Sequence, residues 1–67
     1  MRITVNGVAT EVPSALTVAE LVAQRVPEDA RRVAVAVNAG VVPRSAWSTT
    51  ELADGDSAEL LTAVAGG

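Results

Sequence analysis

Hydrophobic and polar residues alternate at the start of the chain, and this pattern predicts a β-hairpin. Residues 2–5 place apolar side chains at every second position, which is typical of a strand with one buried face. Asn6-Gly7 comes next, and both residues tolerate the positive φ angles of a two-residue hairpin turn. Residues 8–12 are then expected to return as the second strand, with Val8 and Val12 on one face.

A helix is predicted over residues 18–26, because its first turn carries two separate start signals. The Thr17 hydroxyl can accept from the Glu20 amide while the Glu20 carboxylate accepts from the Thr17 amide, which is a capping box. Leu16 and Leu21 have the spacing of a hydrophobic staple across the same turn.

The remaining alternation predicts further strands. Valines alternate with alanines in one segment, a brief apolar pair follows a turn, and a final strand follows an Asp-Gly-Asp turn. An irregular stretch with a short helical piece is expected before that last turn. In chain order these segments are residues 33–37, 38–40 (turn), 41–42, 44–51 (irregular) and 58–63.

This order of elements predicts an α+β domain, in which one mixed sheet of four to five strands packs on one short helix. The first and last strands are expected to lie side by side and parallel at the centre of the sheet. That is the β-grasp arrangement of ubiquitin. Residues 1–62 are expected to form this domain, and residues 63–67 a flexible tail.

Composition argues against a self-sufficient enzyme. The 67 residues include no Cys, His, Lys, Phe or Tyr, and Trp47 is the only aromatic residue. A serine nucleophile would find no histidine or lysine beside it to act as a base. The absence of Cys and His also removes the usual zinc ligands, so no metal site and no bound cofactor are expected.

The formal net charge of −3 argues against nucleic acid as a partner, because a basic patch supplies most of that affinity. No apolar run approaches the roughly 20 residues of a membrane span, and no signal-peptide pattern opens the sequence. The cytoplasm is the expected compartment.

Gly66–Gly67 is the candidate reacting site. A carboxylate on Gly67 could attack ATP and form an acyl-adenylate, and a sulfur nucleophile could then leave a thiocarboxylate there. Gly66 and Ala65 would let the tail enter a narrow channel, because small residues avoid clashes and glycine has the widest backbone freedom. The alternative interpretation is a frayed chain end. Without lysine, the chain cannot be extended through side-chain isopeptide links, although it could still modify another protein once.

Two other groups of residues are candidates for weaker roles. A partner interface is predicted at Leu61, Ala63, Val64 and Arg44, against the alternatives of plain apolar sheet surface and, for Arg44, a solvated side chain. Trp47 is interpreted as core, in preference to an anchor of that interface. The acidic residues Glu51, Asp54, Asp56 and Glu59 are interpreted as turn formers and a solvated edge, in preference to a metal site.

The chain as a whole resembles the ThiS family of bacterial thiamin-pathway sulfur carriers. The resemblance rests on a VPR segment followed by a tryptophan, a DGD turn and an AGG end, together with the helix start. These residues are Asn38, Val41-Val42-Pro43-Arg44, Trp47, Leu52, Asp54-Gly55-Asp56, Ala63-Val64-Ala65-Gly66-Gly67, Thr17-Val18 and Leu21-Val22.

The resemblance implies a β-grasp carrier with no catalytic residue of its own. An adenylating enzyme of the ThiF type would activate Gly67 with ATP, a cysteine desulfurase would supply sulfur, and the thiazole synthase ThiG would consume the thiocarboxylate. The alternatives are the small subunit of molybdopterin synthase, a carrier for another sulfur product, a protein modifier and a non-covalent β-grasp module.

Overall fold

The computed structural model describes residues 1–26 and 32–62. They form five strands and one α-helix in the order that the alternation predicts. The elements are β1 (Arg2–Val5), β2 (Val8–Glu11), α1 (Val18–Arg25), β3 (Val33–Val37), β4 (Gly40–Val42) and β5 (Ser57–Thr62). A short 3-10 turn, Arg44–Ala46, provides the helical piece expected in the irregular stretch.

The five strands make one mixed sheet in the order β2-β1-β5-β3-β4. The last strand, β5, is central and pairs in parallel with β1 and antiparallel with β3. The predicted β-grasp fold, with parallel first and last strands at its centre, is confirmed. Within the described residues, the helix is far too short to cross a membrane.

Both hairpins turn through two residues with positive φ, the combination of a type I′ turn. Asn6 and Gly7 have φ angles of 50° and 82° in the first hairpin. In the second hairpin Asn38 and Ala39 have φ angles of 51° and 70°, so an alanine occupies the position where glycine is usual. The expected turn over residues 38–40 is therefore one residue shorter, because Gly40 already pairs with Val37 in β4.

The start of α1 is held in the way the capping box predicts. Thr17 Oγ1 accepts from the Glu20 amide at 3.1 Å, and Glu20 Oε1 accepts from the Thr17 amide at 2.9 Å. The first two helical N–H groups, which no helical carbonyl can satisfy, donate instead to the carbonyls of Thr50 and Trp47 at 2.9 and 3.0 Å. The cap therefore also ties the helix to the loop before β5.

The core lies between the helix and one face of the sheet, and the strands, the helix and the connecting loops all contribute residues to it. Among residues 1–26 and 32–62, thirteen hydrophobic residues are buried, and they form a single cluster. Trp47 is among them, as interpreted from the sequence, and its Nε1 donates to the Val42 carbonyl at 3.0 Å. Val8 pairs with Val5, so it lies on the helix side of the sheet, the side on which Val12 is also found, as expected. Val12 is buried just after β2, whereas Val8 is 66% exposed.

Candidate functional site

The reacting residues proposed from the sequence lie outside the described residues. These are Gly66 and Gly67 with Ala65, and the same holds for Ala63 and Val64 of the predicted interface. Their roles stay predictions. What the structure does describe is the base of this segment, which is the last half of β5 ending at Thr62.

The base of the segment is the central strand of the sheet. β3 pairs with β5 along its whole length, from Val37↔Ala58 to Val33↔Thr62. Alternation then sends successive side chains to opposite faces: Leu60 is buried under the helix, whereas Leu61 is 67% exposed on the open face. Any group that follows Thr62 is thus attached to the central strand of the sheet, which pairs with β3 up to Thr62.

An apolar strip crosses the open face beside this strand end. We define it as Leu61, Ala34, Ala36 and Val41. The register places Leu61 opposite Ala34 and Val41 opposite Ala36, on the face turned away from the buried valines of β3. Val41 is 80% exposed, so the strip is bordered by two accessible large aliphatic side chains. Exposed apolar residues grouped in this way are typical of protein-binding surfaces.

The other half of the open face is polar. Arg2 Nε donates to Glu11 Oε1 at 2.8 Å, and both side chains are about 70% exposed. Such a pair adds little to stability, because water screens the attraction. The two large exposed aliphatic side chains of the open face, Leu61 and Val41, therefore lie on the β3, β4 and β5 side, where Glu59 of β5 is also exposed opposite Ala36.

Arg44, which follows the edge strand β4, lies at the end of the sheet where β5 ends. Val42 of β4 and Leu60 of β5 both pair with Val35, so these two strands, which run in the same direction, end at a similar level. The Arg44 guanidinium then lies over the Trp47 ring, with its central carbon 5.6 Å from the ring centroid. Stacking on a fixed aromatic side chain limits the freedom of this exposed cation. The structure thus brings Arg44 and Leu61 to one end of the sheet, two strands apart.

A shallow cleft of about 380 Å³ lies on the helix side of the same strand end. Its apolar walls include Val8, Val26 and Leu60, and Arg25 contributes its one cationic lining side chain among the described residues. Apolar surface therefore flanks the end of β5 on both sides of the sheet.

Asp54 and Asp56 form the turn before β5, as interpreted from the sequence, whereas Glu51 lies before that turn and Glu59 within β5, both exposed. Asp54 Oδ1 accepts from the Arg2 amide at 2.8 Å, and Asp56 accepts from the Ala53 amide at 2.8 Å and from Asn38 Nδ2 at 3.0 Å. Gly55 between them has a φ of 87°, which favours glycine. No group of residues suited to a metal ion occurs in residues 1–26 and 32–62.

Sequence reasoning missed one contact at the strand end. Asn6, identified only as a turn residue, has its side-chain Oδ1 2.8 Å from the Leu60 amide, and it accepts a hydrogen bond there across 54 positions of sequence. The signal available in the sequence was the Asn-Gly pair. It predicted the turn, but a tertiary acceptor role cannot be deduced from local pattern.

Comparison with known proteins gives a consistent result. The ThiS family model matches residues 2–67. A crystal structure of the thiamine biosynthesis protein ThiS from Geobacter metallireducens superposes with a TM-score of 0.84 at 36% identity, covering 100% of both chains. A solution structure of a thiamine biosynthesis protein from the same organism gives 0.81 at 38% identity, covering all of this chain and 88% of the other.

A longer protein is also similar. A thiazole synthase of Paramagnetospirillum magneticum is 31% identical over all 67 residues, and the chain spans only 20% of that protein's length. The family model covers nearly the whole chain, and the solved structures share its complete fold. The chain therefore belongs to the ThiS family.

Proposed function

We propose that this chain is a sulfur carrier for thiazole formation in thiamin biosynthesis, with the carboxylate of Gly67 as its reacting group. The observation that carries the proposal is the family match over residues 2–67, which includes the Gly-Gly segment. The fold supports it, since β5, the central strand of the sheet, is the last element before these glycines in the chain.

The proposed chemistry needs no catalytic side chain from the carrier. An adenylating enzyme of the ThiF type binds ATP, the Gly67 carboxylate attacks the α-phosphate, and pyrophosphate leaves. A sulfur nucleophile then attacks the carbonyl carbon of this acyl-adenylate and displaces AMP. With hydrosulfide as the nucleophile, the product is the thiocarboxylate directly. In the cell a cysteine desulfurase supplies the sulfur, and a thiazole synthase of the ThiG type consumes it.

Intact-mass measurement tests this proposal. A chain ending at Gly67, incubated with its adenylating enzyme, ATP and hydrosulfide, is expected to gain the mass difference between sulfur and oxygen. Deletion of Gly67 is expected to abolish the gain, because the carboxylate no longer reaches the α-phosphate, while the circular dichroism spectrum stays unchanged. A full-length chain that stays unmodified under these conditions would contradict the carrier role.

The apolar strip, with Arg44 beside it, is the proposed docking surface for these enzymes. It lies at the base of the reacting segment, and its large side chains are exposed. A matched pair of variants tests it, because Leu61 and Val8 are 67% and 66% exposed on opposite faces of the sheet. Leu61→Gln is expected to slow sulfur loading, whereas Val8→Gln is expected to leave it near the wild-type rate. Equal rates for the two variants would show that the strip does not bind the enzyme.

A further inference from the structure

Strand β5 continues beyond its parallel neighbour β1 at the end that leads to residues 63–67. β1 pairs with β5 only at Thr4↔Ser57 and Val5↔Ala58, whereas β3 pairs with it as far as Thr62. The second half of β5 therefore has a main-chain ladder on its β3 edge only. Its other edge faces the turn through which the chain leaves β1.

Asn6 extends the pairing on that second edge. Its amide donates to the Ala58 carbonyl at 2.9 Å, and its side-chain Oδ1 accepts from the Leu60 amide at 2.8 Å. The side-chain oxygen thus takes the place of the next main-chain acceptor that a longer β1 would offer. One residue makes two consecutive hydrogen bonds to β5 although the strand before it has ended.

Position 6 consequently meets two requirements. Its φ of 50° lies in the left-handed region, which Asn, Asp and Gly adopt most readily. It must also carry an oxygen acceptor that reaches the Leu60 amide. Glycine meets only the first requirement, and aspartate meets both, so these two substitutions separate the turn from the tertiary hydrogen bond.

An asparagine in the second hairpin makes an equivalent hydrogen bond at the other end of β5. Asn38 has a φ of 51°, and its Oδ1 accepts from the Ser57 amide at 3.0 Å. The central strand is therefore fastened at its start by one hairpin and near its end by the other. Only Asn6 acts at the end that leads to Gly67, which makes Asn38 a matched control.

We propose that Asn6 is a positioning residue for the loading reaction, because its hydrogen bond to Leu60 holds the end of β5 from which residues 63–67 extend. This inference rests on the proposed function. An enzyme that docks beside Leu61 requires an ordered strand end, and the apparent affinity falls with the fraction of carrier in which that end is ordered. Loss of the Asn6 acceptor should therefore raise the KM for the carrier and leave kcat unchanged.

The experiment compares Asn6→Gly, Asn6→Asp and Asn38→Gly with the wild-type chain ending at Gly67. Hydrogen exchange of the Leu60 amide measures the order of the strand end. Steady-state sulfur loading by the adenylating enzyme with ATP and hydrosulfide gives KM and kcat. In Asn6→Gly the Leu60 amide is expected to exchange about fivefold faster, the effect of one net hydrogen bond. KM is expected to rise in inverse proportion to the fraction of carrier whose strand end is ordered, with about fivefold as the upper limit. Asn6→Asp is expected to restore both values.

The control variant Asn38→Gly distinguishes an effect on the position of the strand end from an effect on the stability of the whole domain. Asn38→Gly is expected to lower the midpoint of urea unfolding by at least as much as Asn6→Gly, because it also loses the bond to Asp56. Its KM is nevertheless expected to equal that of the wild type. A rise in KM for Asn38→Gly that matches Asn6→Gly, or a wild-type KM for Asn6→Gly, would overturn the positioning role alone. A wild-type chain that does not load at all would overturn the carrier function and this inference with it.

Discussion

Exchanging two neighbouring residues in the turn between β3 and β4 is predicted to raise the free energy of unfolding. Ala39 has a φ of 70°, while the next residue, Gly40, does not adopt a positive φ. The double variant Ala39→Gly/Gly40→Ala converts Asn-Ala-Gly into Asn-Gly-Ala. It places glycine at the left-handed position and alanine at the start of β4, as in the first hairpin, where Asn6-Gly7 makes the same turn.

The magnitude follows from two opposing terms. An L-residue in the left-handed region costs about 1–2 kcal/mol, and Ala39→Gly removes that strain. The same change raises the conformational entropy of the unfolded chain, which lowers the free energy of unfolding by about 0.4–1 kcal/mol. Gly40→Ala lowers that entropy and raises the free energy of unfolding by a similar amount. A Cβ on Gly40 would have the Val37 carbonyl oxygen as its nearest neighbour, at 3.5 Å, which is ordinary contact. The double variant should therefore gain about 1–2 kcal/mol in the free energy of unfolding.

Urea unfolding followed by tryptophan fluorescence measures this gain, because Trp47 is the only aromatic residue and is buried in the core. In a domain of this size each kcal/mol also raises Tm by about 4–8 °C. The single variant Gly40→Ala is the sharper control, since it should be neutral or mildly stabilising. A loss of more than about 1 kcal/mol in Gly40→Ala, the cost of a left-handed alanine, would show that Gly40 needs a positive φ and would refute the reasoning.

Two further predictions concern the helix. Thr17→Ala removes the capping hydroxyl and is expected to lower the free energy of unfolding by about 1 kcal/mol, with Thr17→Ser as the control that keeps the acceptor; equal losses in both would contradict the capping role. Leu21→Ala empties a position with 0% exposure and is expected to cost about 2–5 kcal/mol. Leu61→Ala, the same change at an exposed leucine, is expected to cost less than about 0.5 kcal/mol in the same urea titration.

Much of the fold follows from local signals in the sequence. The Asn-Gly turn, the capping box and the alternating valines each specify an element within a few residues, and the order of elements then leaves few ways to arrange one sheet and one helix. Even the burial of Trp47 was predictable, since a small core without Phe or Tyr needs a bulky side chain.

The misplaced details have a common physical origin. Val8 lies on the same side of the sheet as the buried Val5, yet it is 66% exposed at the edge strand. Gly40 is the residue expected in a turn, but the register of β3 and β4 assigns the left-handed angle to Ala39. The contact between Asn6 and Leu60 joins residues 54 positions apart. Each depends on how distant segments meet, which local pattern does not encode.

The central position of β5 also has a consequence for biosynthesis. The β1–β2 and β3–β4 hairpins both precede β5 in the chain and are synthesised before it. In the sheet, however, β5 lies between β1 and β3 and joins the two hairpins. The sheet can therefore form completely only after residues 57–62 have left the ribosome. Long-range pairing of this kind is slow compared with hairpin formation. If Gly67 is the group that partner enzymes modify, it comes five positions after Thr62, the last residue of β5. Recognition of the sheet together with the glycines would then restrict sulfur transfer to molecules in which β5 has taken its place in the sheet.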